Sequence, residues 1–278
     1  LVHSYRELGH FIANLDPLGN NGTSHPLLEL HNFNLSDIDL ERTVQCASFY
    51  GCSQAKLADL VMLLRATYCG TLGVEYMHIS SKDQRDWIQR QIEPTLNQPE
   101  LSADDRKQIL RQMQQATGIE TFLQAKFVGQ KRFSLEGAES LVPLLNTLIE
   151  AAGERGVDEI VMGMPHRGRL NVMANVLGKP YDAIFAEFEG SFLPKNVQGD
   201  GDVKYHLGYA KDYIRRTGHK VHVALLSNPS HLEAIDPIVE GIPHPKQQYL
   251  HDVEHRGVMP LLLHGDASFV GQGIVMET

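Results

Sequence analysis

The chain has 278 residues, which is long enough for a substantial core and for more than one packed unit. It carries 25 Lys and Arg against 34 Asp and Glu, a net charge of -9, which argues against a nucleic-acid-binding surface but leaves room for a local pocket for a small anion. No long uncharged apolar run predicts a membrane-spanning helix.

The three cysteines, Cys46, Cys52 and Cys69, are odd in number and lack the spacing of zinc ligands. We therefore expect reduced thiols in a reducing compartment. The sequence begins at Leu1 with a helical pattern already under way, so we expect the natural N-terminus to lie upstream. A targeting peptide that has been removed stays an open alternative.

The first half of the chain is predicted to be mostly helical. The spacing of apolar residues predicts helices over residues 2–14, 53–68, 83–93 and 103–115, the last of them ended by a break at Gly118. Between the second and third helices, residues 70–79 are predicted to form a short extended segment.

After Phe127 the pattern alternates between helices and apolar strands. We predict helices over residues 138–152, 169–177 and 181–189, strands over 159–164, 221–226 and 261–264, and exposed loops over 190–202 and 241–257. Such alternation is typical of an α/β fold with a parallel sheet flanked by helices. We place a domain boundary near residue 130, with a helical region at 1–130 and an α/β domain at 131–278.

Three of the predicted strands end in loops that carry polar side chains. They are followed by Pro165-His166-Arg167-Gly168-Arg169, by Asn228-Pro229-Ser230-His231, and by Gly265-Asp266. Ligands of open α/β sheets bind at the carboxyl ends of the strands, where a carboxylate can hold a metal. We therefore predict Asp266 as a Mg²⁺ ligand.

Arg167 and Arg169 flank the predicted start of a helix, and this arrangement favours an anion site. The alternative is a turn whose arginines pair with surface carboxylates. Both interpretations stay open on charge alone.

Ser230 and Glu233 have the spacing of a capping box, which would explain both residues without any chemistry. His231 is not explained by a cap and is a candidate site residue. His264, at the end of an apolar strand, is expected to be a hydrogen-bonded core histidine, and the segment at 202–206 predicts no role by itself.

Residues 251–255 match an H-x-x-E-H zinc pattern through His251, Glu254 and His255. Such a site needs both imidazoles on one face of a helix. The surrounding residues give no apolar helix face, so zinc chemistry is the weaker interpretation.

Four phrases in this order, GMPHRGRLNVMANVLGKP, GDVKYHLG, SNPSHLEAIDPIVEG and LLLHGDASFVGQG, resemble the thiamine-diphosphate-dependent decarboxylating components of 2-oxoglutarate dehydrogenases. The phrases YRELGHFIANLDPL, GTLGVEYMHIS and KRFSLEGAESLVPLL match the same family. The resemblance covers nearly the whole chain.

The resemblance implies a role for particular residues. The family's Mg²⁺-binding Gly-Asp falls on Gly265-Asp266. The implied cofactor-binding residues are Arg167, Ser230, Leu232, Asp266 and Ala267. The implied substrate-binding and catalytic histidines are His166 and His206, with His231 in the same pocket.

The resemblance also implies a function for the complete protein. It would decarboxylate 2-oxoglutarate with thiamine diphosphate and Mg²⁺, and it would pass a succinyl group to the lipoyl arm of a dihydrolipoyl succinyltransferase. It implies a homodimer or larger assembly in bacterial cytoplasm or mitochondrial matrix, with no nucleic-acid or membrane partner.

The family's asparagine-containing metal segment and its activating glutamate have no match in residues 1–278, so we expect 131–278 to hold only the diphosphate side of the cofactor domain, truncated at its C-terminal end. A chain of this extent alone is expected to be inactive. Two alternatives are a 2-oxoadipate dehydrogenase, whose substrate is longer by one methylene, and a non-catalytic docking module that binds other subunits.

Overall fold

The computed structural model describes residues 1–16, 18–19, 22–189, 203–214, 218 and 220–278. The chain divides into two compact units, Leu1–Ser102 and Ala103–Thr278. The boundary expected near residue 130 falls inside the second unit and stays a prediction. The loop predicted at 190–202 lies outside the described residues.

The first unit is mostly helical, as the sequence predicts, and also contains one small hairpin that was not predicted. Its helices and strands are α1 (Val2–Leu8), β1 (Thr43–Gln45), β2 (Gln54–Lys56), α2 (Leu57–Tyr68) and α3 (Lys82–Ile92). Leu57, Leu60, Leu64 and Tyr68 recur every three or four residues along α2, and all four are buried. This spacing makes α2 the central helix of the core of the unit.

Three local predictions in this unit are wrong. The first helix ends at Leu8 and continues only as a 3-10 turn, Gly9–Ile12. The helix predicted from residue 53 begins at Leu57, because Gln54–Lys56 pairs with β1 in an antiparallel ladder. Residues 70–79 form turns and bends and contain no strand.

The expectation of three thiols is also wrong for two cysteines. Cys46 and Cys52 form a disulfide across the β1–β2 hairpin, where the antiparallel pairing brings their Cα atoms to 5.6 Å. That separation is typical of a disulfide. Cys69 is the free thiol, and burial raises its pKa to about 11.

The second unit opens with a long helix, α4 (Ala103–Lys126), which runs through the break predicted at Gly118. Ala116, Ile119 and Leu123 on one face of α4 are buried in the main core. A side chain at Gly118 would meet nothing within 4 Å, so this glycine lies on the open face of the helix. Burial of the opposite face outweighs the modest helix penalty of one glycine.

The sheet of the second unit confirms the predicted α/β class. Its strands are β3 (Glu159–Gly163), β4 (Tyr209–Ile214), β5 (Lys220–Leu225) and β6 (Val258–Leu262), in the spatial order β4-β5-β3-β6. β5, β3 and β6 are parallel, and β4 pairs with β5 antiparallel. The sheet is therefore mixed and not fully parallel as predicted. The antiparallel edge strand β4 was not predicted from the sequence.

Helices cover both faces of this sheet. The helices of this unit after α4 are α5 (Leu141–Glu154), α6 (Arg169–Asn175), α7 (Tyr181–Phe188), α8 (Asp236–Gly241), α9 (Pro243–Tyr249), α10 (Asp266–Gly271) and α11 (Gly273–Glu277). Ile160 and Met162 of β3 join the core that contains α4, α5 and α6, whereas Val161 joins Val239 of α8 on the other face. Burial on both faces explains why β3 is a continuous apolar run.

The loop predicted at 241–257 is only partly a loop, because α9 occupies its first half. None of the helices in the described part of the chain is both long and apolar enough to cross a membrane.

Candidate functional site at the carboxyl edge of the sheet

The three predicted strand-end loops leave the sheet at the same edge. β3 is the central partner of β5 and β6 in parallel registers, with Met162 opposite both Leu225 and Leu261. The parallel register continues past the strands, because the Leu226 amide donates to Met162 O at 2.9 Å and the Leu263 amide donates to Gly163 O at 3.0 Å. The chain therefore delivers residues from three separate segments to one edge.

Two glycines make this edge compact. A Cβ on Gly163, the last residue of β3, would lie 2.6 Å from a methyl carbon of Val239, so glycine lets α8 pack directly on the strand. Gly168 precedes α6 with φ +76, a conformation that favours glycine, and a Cβ there would lie 2.5 Å from Leu135. Both positions set the path of the loop that carries His166 and Arg167.

Two of the predicted catalytic histidines lie close together. The ring centroids of His166 and His206 are 6.3 Å apart in an edge-on arrangement, and Phe133 contacts His166 with a centroid distance of 3.9 Å. Both histidines are half-buried. The backbone carbonyl of His206 accepts a hydrogen bond from the Asn228 amide at 3.1 Å, which ties this histidine to the loop after β5.

Arg169 has a structural role that differs from the predicted one. Its side chain is fully buried, and it donates to Met164 O at 3.0 Å, to Leu207 O at 2.9 Å and to Leu226 O. Desolvation lowers the pKa of Arg169 to about 10, so it stays charged at neutral pH. The interpretation of Arg169 as an anion ligand is therefore wrong, whereas Arg167 is exposed and accessible to a ligand.

The predicted capping box at Ser230 and Glu233 does not form. Glu233 has φ +66, and the next helix, α8, begins only at Asp236. Its carboxylate turns instead to the loop after β6, where Oε2 lies 2.5 Å from His264 Nδ1 and Oε1 accepts a hydrogen bond from the Ser268 hydroxyl. His264 is thus hydrogen-bonded, as the sequence predicts, but it is exposed and is not the core histidine that was expected.

The other predicted site residues lie on the surface of this edge. Asp266 is the first residue of α10 and is exposed, as is Ala267. Ser230 and His231 are exposed on the loop after β5, and Leu232 is half-buried. Their roles as cofactor, metal or catalytic residues stay predictions.

One group of potential metal ligands is present among the residues that the structure describes. It consists of Glu233, Asp236 and His264, whose ligand atoms lie within 4.8 Å of one another, and it does not include Asp266. The histidines of the zinc pattern, His251 and His255, both follow the end of α9 in turns with φ +53. The pattern is not on a helix, which removes the geometry on which the zinc interpretation depends.

Sequence reasoning missed the roles of Asn228, Glu233 and Asp236. Pro229 and Pro237 follow Asn228 and Asp236, and an X-Pro step indicates only a local turn or helix start. Glu233 was assigned to a local cap. A polar residue that is buried by a distant loop leaves no periodic signal in the sequence.

A family model described as "Dehydrogenase E1 component" matches residues 111–278. The chain belongs to the dehydrogenase E1 component family. The match covers most of the second unit, including all three strand-end loops.

Curated relatives of this E1 component match over its whole length. The chain is 47% identical to the "Multifunctional 2-oxoglutarate metabolism enzyme" of Mycolicibacterium vanbaalenii and covers 23% of that protein. It is 46% identical to the "2-oxoglutarate dehydrogenase E1/E2 component" of Corynebacterium glutamicum, again covering 23%. The chain thus spans about a quarter of the length of these relatives, and 22% of a similar enzyme from Mycobacterium sp. (strain JLS).

Proposed function

We propose that the complete protein containing this chain catalyses the oxidative decarboxylation of 2-oxoglutarate with thiamine diphosphate and Mg²⁺. Membership of the E1 family, which depends on thiamine diphosphate, supports the cofactor, and the printed names of the relatives support the substrate. The observation that carries the proposal is the position of two histidines. The rings of His166 and His206 lie near each other at the sheet edge to which the loops that bear Arg167 and Asp266 also lead.

The residues present fit the cofactor. Arg167 is an exposed cation suited to a diphosphate, and Asp266 is an exposed carboxylate suited to Mg²⁺. Asn228 Oδ1 is buried, and no donor among the described residues reaches it, so it offers an acceptor to a bound group. Ser230, Leu232 and Ala267 flank these groups in sequence and complete the proposed cofactor-binding set.

Thiamine diphosphate, when bound, supplies the electron sink that decarboxylation of a 2-oxo acid requires. The contribution of this chain is to bind and orient. His166 and His206 donate hydrogen bonds from their ring nitrogens to a substrate carboxylate, and an imidazole can also move a proton near neutral pH. His231, on the neighbouring loop, is proposed as a third histidine of the same pocket.

The acyl product would pass to a lipoyl group of an acyltransferase. The name "E1/E2 component" of the Corynebacterium relative supports such a partner, either as a separate subunit or within one polypeptide. A homodimer or larger assembly, and a location in bacterial cytoplasm or mitochondrial matrix, belong to the same proposal.

The test measures reduction of an artificial electron acceptor by the natural full-length protein with 2-oxoglutarate, with and without thiamine diphosphate and Mg²⁺. We expect activity that needs both, and a loss of roughly a hundredfold or more in Asp266→Ala because the metal ligand is removed. Asp182→Ala is the matched control, since Asp182 is likewise an exposed aspartate in the first turn of a short helix, α7.

Activity on 2-oxoadipate alone would transfer the proposal to the longer substrate. Activity without thiamine diphosphate, or full activity in Asp266→Ala, would contradict it.

A further inference from the structure

Glu233 lies between the two loops that carry most of the proposed cofactor residues. In sequence it directly follows Ser230, His231 and Leu232, and its side chain crosses to the loop after β6. The residue is only 7% exposed, so the two oxygens of its carboxylate need protein donors. His264 and Ser268 contact these oxygens, and they are placed two residues before and two residues after Asp266.

The backbone of Glu233 has an unfavourable conformation. Its φ of +66 lies in the left-handed region, which residues with a side chain rarely adopt. Neighbouring hydrogen bonds hold it there, since Glu233 O accepts from the Asp236 amide at 3.1 Å and His231 O accepts from the Ala234 amide at 3.4 Å. A conformation of this kind persists only where surrounding structure fixes it, and such residues concentrate at functional sites.

Ser268 extends the contact to the backbone beside Asp266. Its hydroxyl is buried against Glu233 and also lies 2.9 Å from Gly265 O. The turn around Asp266 is therefore held at His264, at Gly265 and at Ser268. These contacts leave the side chains of Asp266 and Ala267 exposed.

We propose that Glu233 is a positioning residue that couples the Ser230–Leu232 loop to the Asp266–Ala267 turn. A carboxylate suits this role because it has two acceptor oxygens for two donors, one from each side of Asp266. The coupling itself follows from the contacts of this chain. Its consequence for the cofactor rests on the proposed function.

The first test measures amide hydrogen exchange in the natural full-length protein without added cofactor. In Glu233→Gln one acceptor oxygen is replaced by an amide group, so we expect faster exchange at residues 264–271 than in the wild type, with no change at residues 169–175. Glu240→Gln, the same substitution at an exposed position of α8, is expected to change neither segment. Unchanged exchange at 264–271, or an equal increase in both segments, would overturn the coupling.

The second test measures binding of thiamine diphosphate in the presence of Mg²⁺ by titration calorimetry. We expect Glu233→Gln to weaken binding by about tenfold, as loss of a residue that orients a ligand group commonly does, and Glu240→Gln to leave it unchanged. Wild-type affinity in Glu233→Gln would overturn the positioning role. If the wild-type protein itself does not bind the cofactor, the proposed function fails, and hydrogen exchange still decides the coupling.

A double variant separates this role from a general loss of stability. If Glu233 acts through Ser268, the effects of Glu233→Gln and Ser268→Ala on cofactor affinity should be strongly non-additive. Full additivity would show that the two residues act independently and would contradict this path.

Discussion

Each unit of this chain holds an arginine against its core, partly buried in the first unit and fully buried in the second, and the two arginines have different partners. In the first unit, Arg6 forms a two-pronged ion pair with Glu93, with Nε to Oε1 at 2.7 Å and Nη2 to Oε2 at 3.0 Å. In the second unit, Arg169 donates to three backbone carbonyls, those of Met164, Leu207 and Leu226. The first arrangement neutralises the charge, and the second uses it to fix backbone segments.

The two arginines stabilise different parts of the molecule. The Arg6–Glu93 pair joins residues 87 positions apart. Glu93 also accepts hydrogen bonds from the Tyr68 hydroxyl at 2.6 Å and from the Tyr50 amide at 2.7 Å. Glu93 therefore links distant segments of the first unit at its core. Arg169 instead holds together three backbone segments at the carboxyl edge of the sheet, which are the chain after β3, the chain before β4 and the chain after β5. Its partners among the described residues are all backbone carbonyls and include no carboxylate.

The largest effect is expected for Arg169→Met. Three carbonyls would lose a charged donor in a buried place, so we expect the free energy of unfolding to fall by about 4 kcal/mol, measured by urea denaturation. Arg155→Met is the control, because Arg155 is exposed and donates to Ala151 O, a single carbonyl of its own helix. A variant of Arg169 with wild-type stability would contradict the view that this charge fixes the sheet edge.

A somewhat smaller effect is expected for Glu93→Gln in the first unit. The change leaves the partly buried guanidinium of Arg6 without its counter-charge, which commonly costs about 3 kcal/mol. Combining Glu93→Gln with Arg6→Met removes the unpaired charge and keeps an acceptor oxygen for Tyr68 and Tyr50, so the double variant should recover part of the loss. No recovery in the double variant would show that the loss comes from the other contacts of Glu93 and not from the unpaired charge of Arg6.

A control for this comparison comes from the surface of the same unit. Glu41 pairs with Lys56 at 2.7 Å, but both side chains are more than half exposed. Solvent screens such a pair, so Glu41→Gln is expected to leave the denaturation midpoint almost unchanged.

The features that follow from local pattern were predictable from the sequence. The apolar runs that become β3 and β5 and the helices α5, α6 and α7 are each signalled by spacing and by their flanking residues. The features that depend on distant partners were not predictable. α4 passes Gly118 because tertiary packing outweighs propensity, and β4 is an edge strand whose pairing with β5 has no periodic apolar signal.

The same limit applies to the candidate site. The predicted strands correctly place His166 and Arg167 after β3 and Asp266 after β6, but the spacing of Ser230 and Glu233 indicates a cap that does not form. Local spacing describes contacts within one turn. It carries no information about His264 and Ser268, which contact Glu233 across more than 30 residues of sequence.

Apart from the Glu41 control, the smallest effect is expected for Asp236→Asn, which tests how the second unit tolerates a buried carboxyl that has no arginine partner. Asp236 is 3% exposed, and no donor within the described residues reaches its Oδ1. Burial first, and the nearby charge of Glu233 second, raise the pKa of this carboxyl from 3.8 to about 6, while His264 opposes the shift. At a pH below 3.8, the Asp236 carboxyl holds its proton in both the folded and the unfolded chain.

Between these two pKa values the folded protein keeps a proton that the unfolded chain has released, so stability decreases as the pH rises through the window. Asparagine carries no such charge. We therefore expect Asp236→Asn to be more stable than the wild type by about 1 kcal/mol at pH 7, and the difference to disappear near pH 4. Urea denaturation across this pH range measures both values, with Asp182→Asn as the exposed control. If the free energies of unfolding of Asp236→Asn and the wild type differ by the same amount at every pH, burial does not disfavour the charged form of the Asp236 carboxyl, and the prediction is wrong.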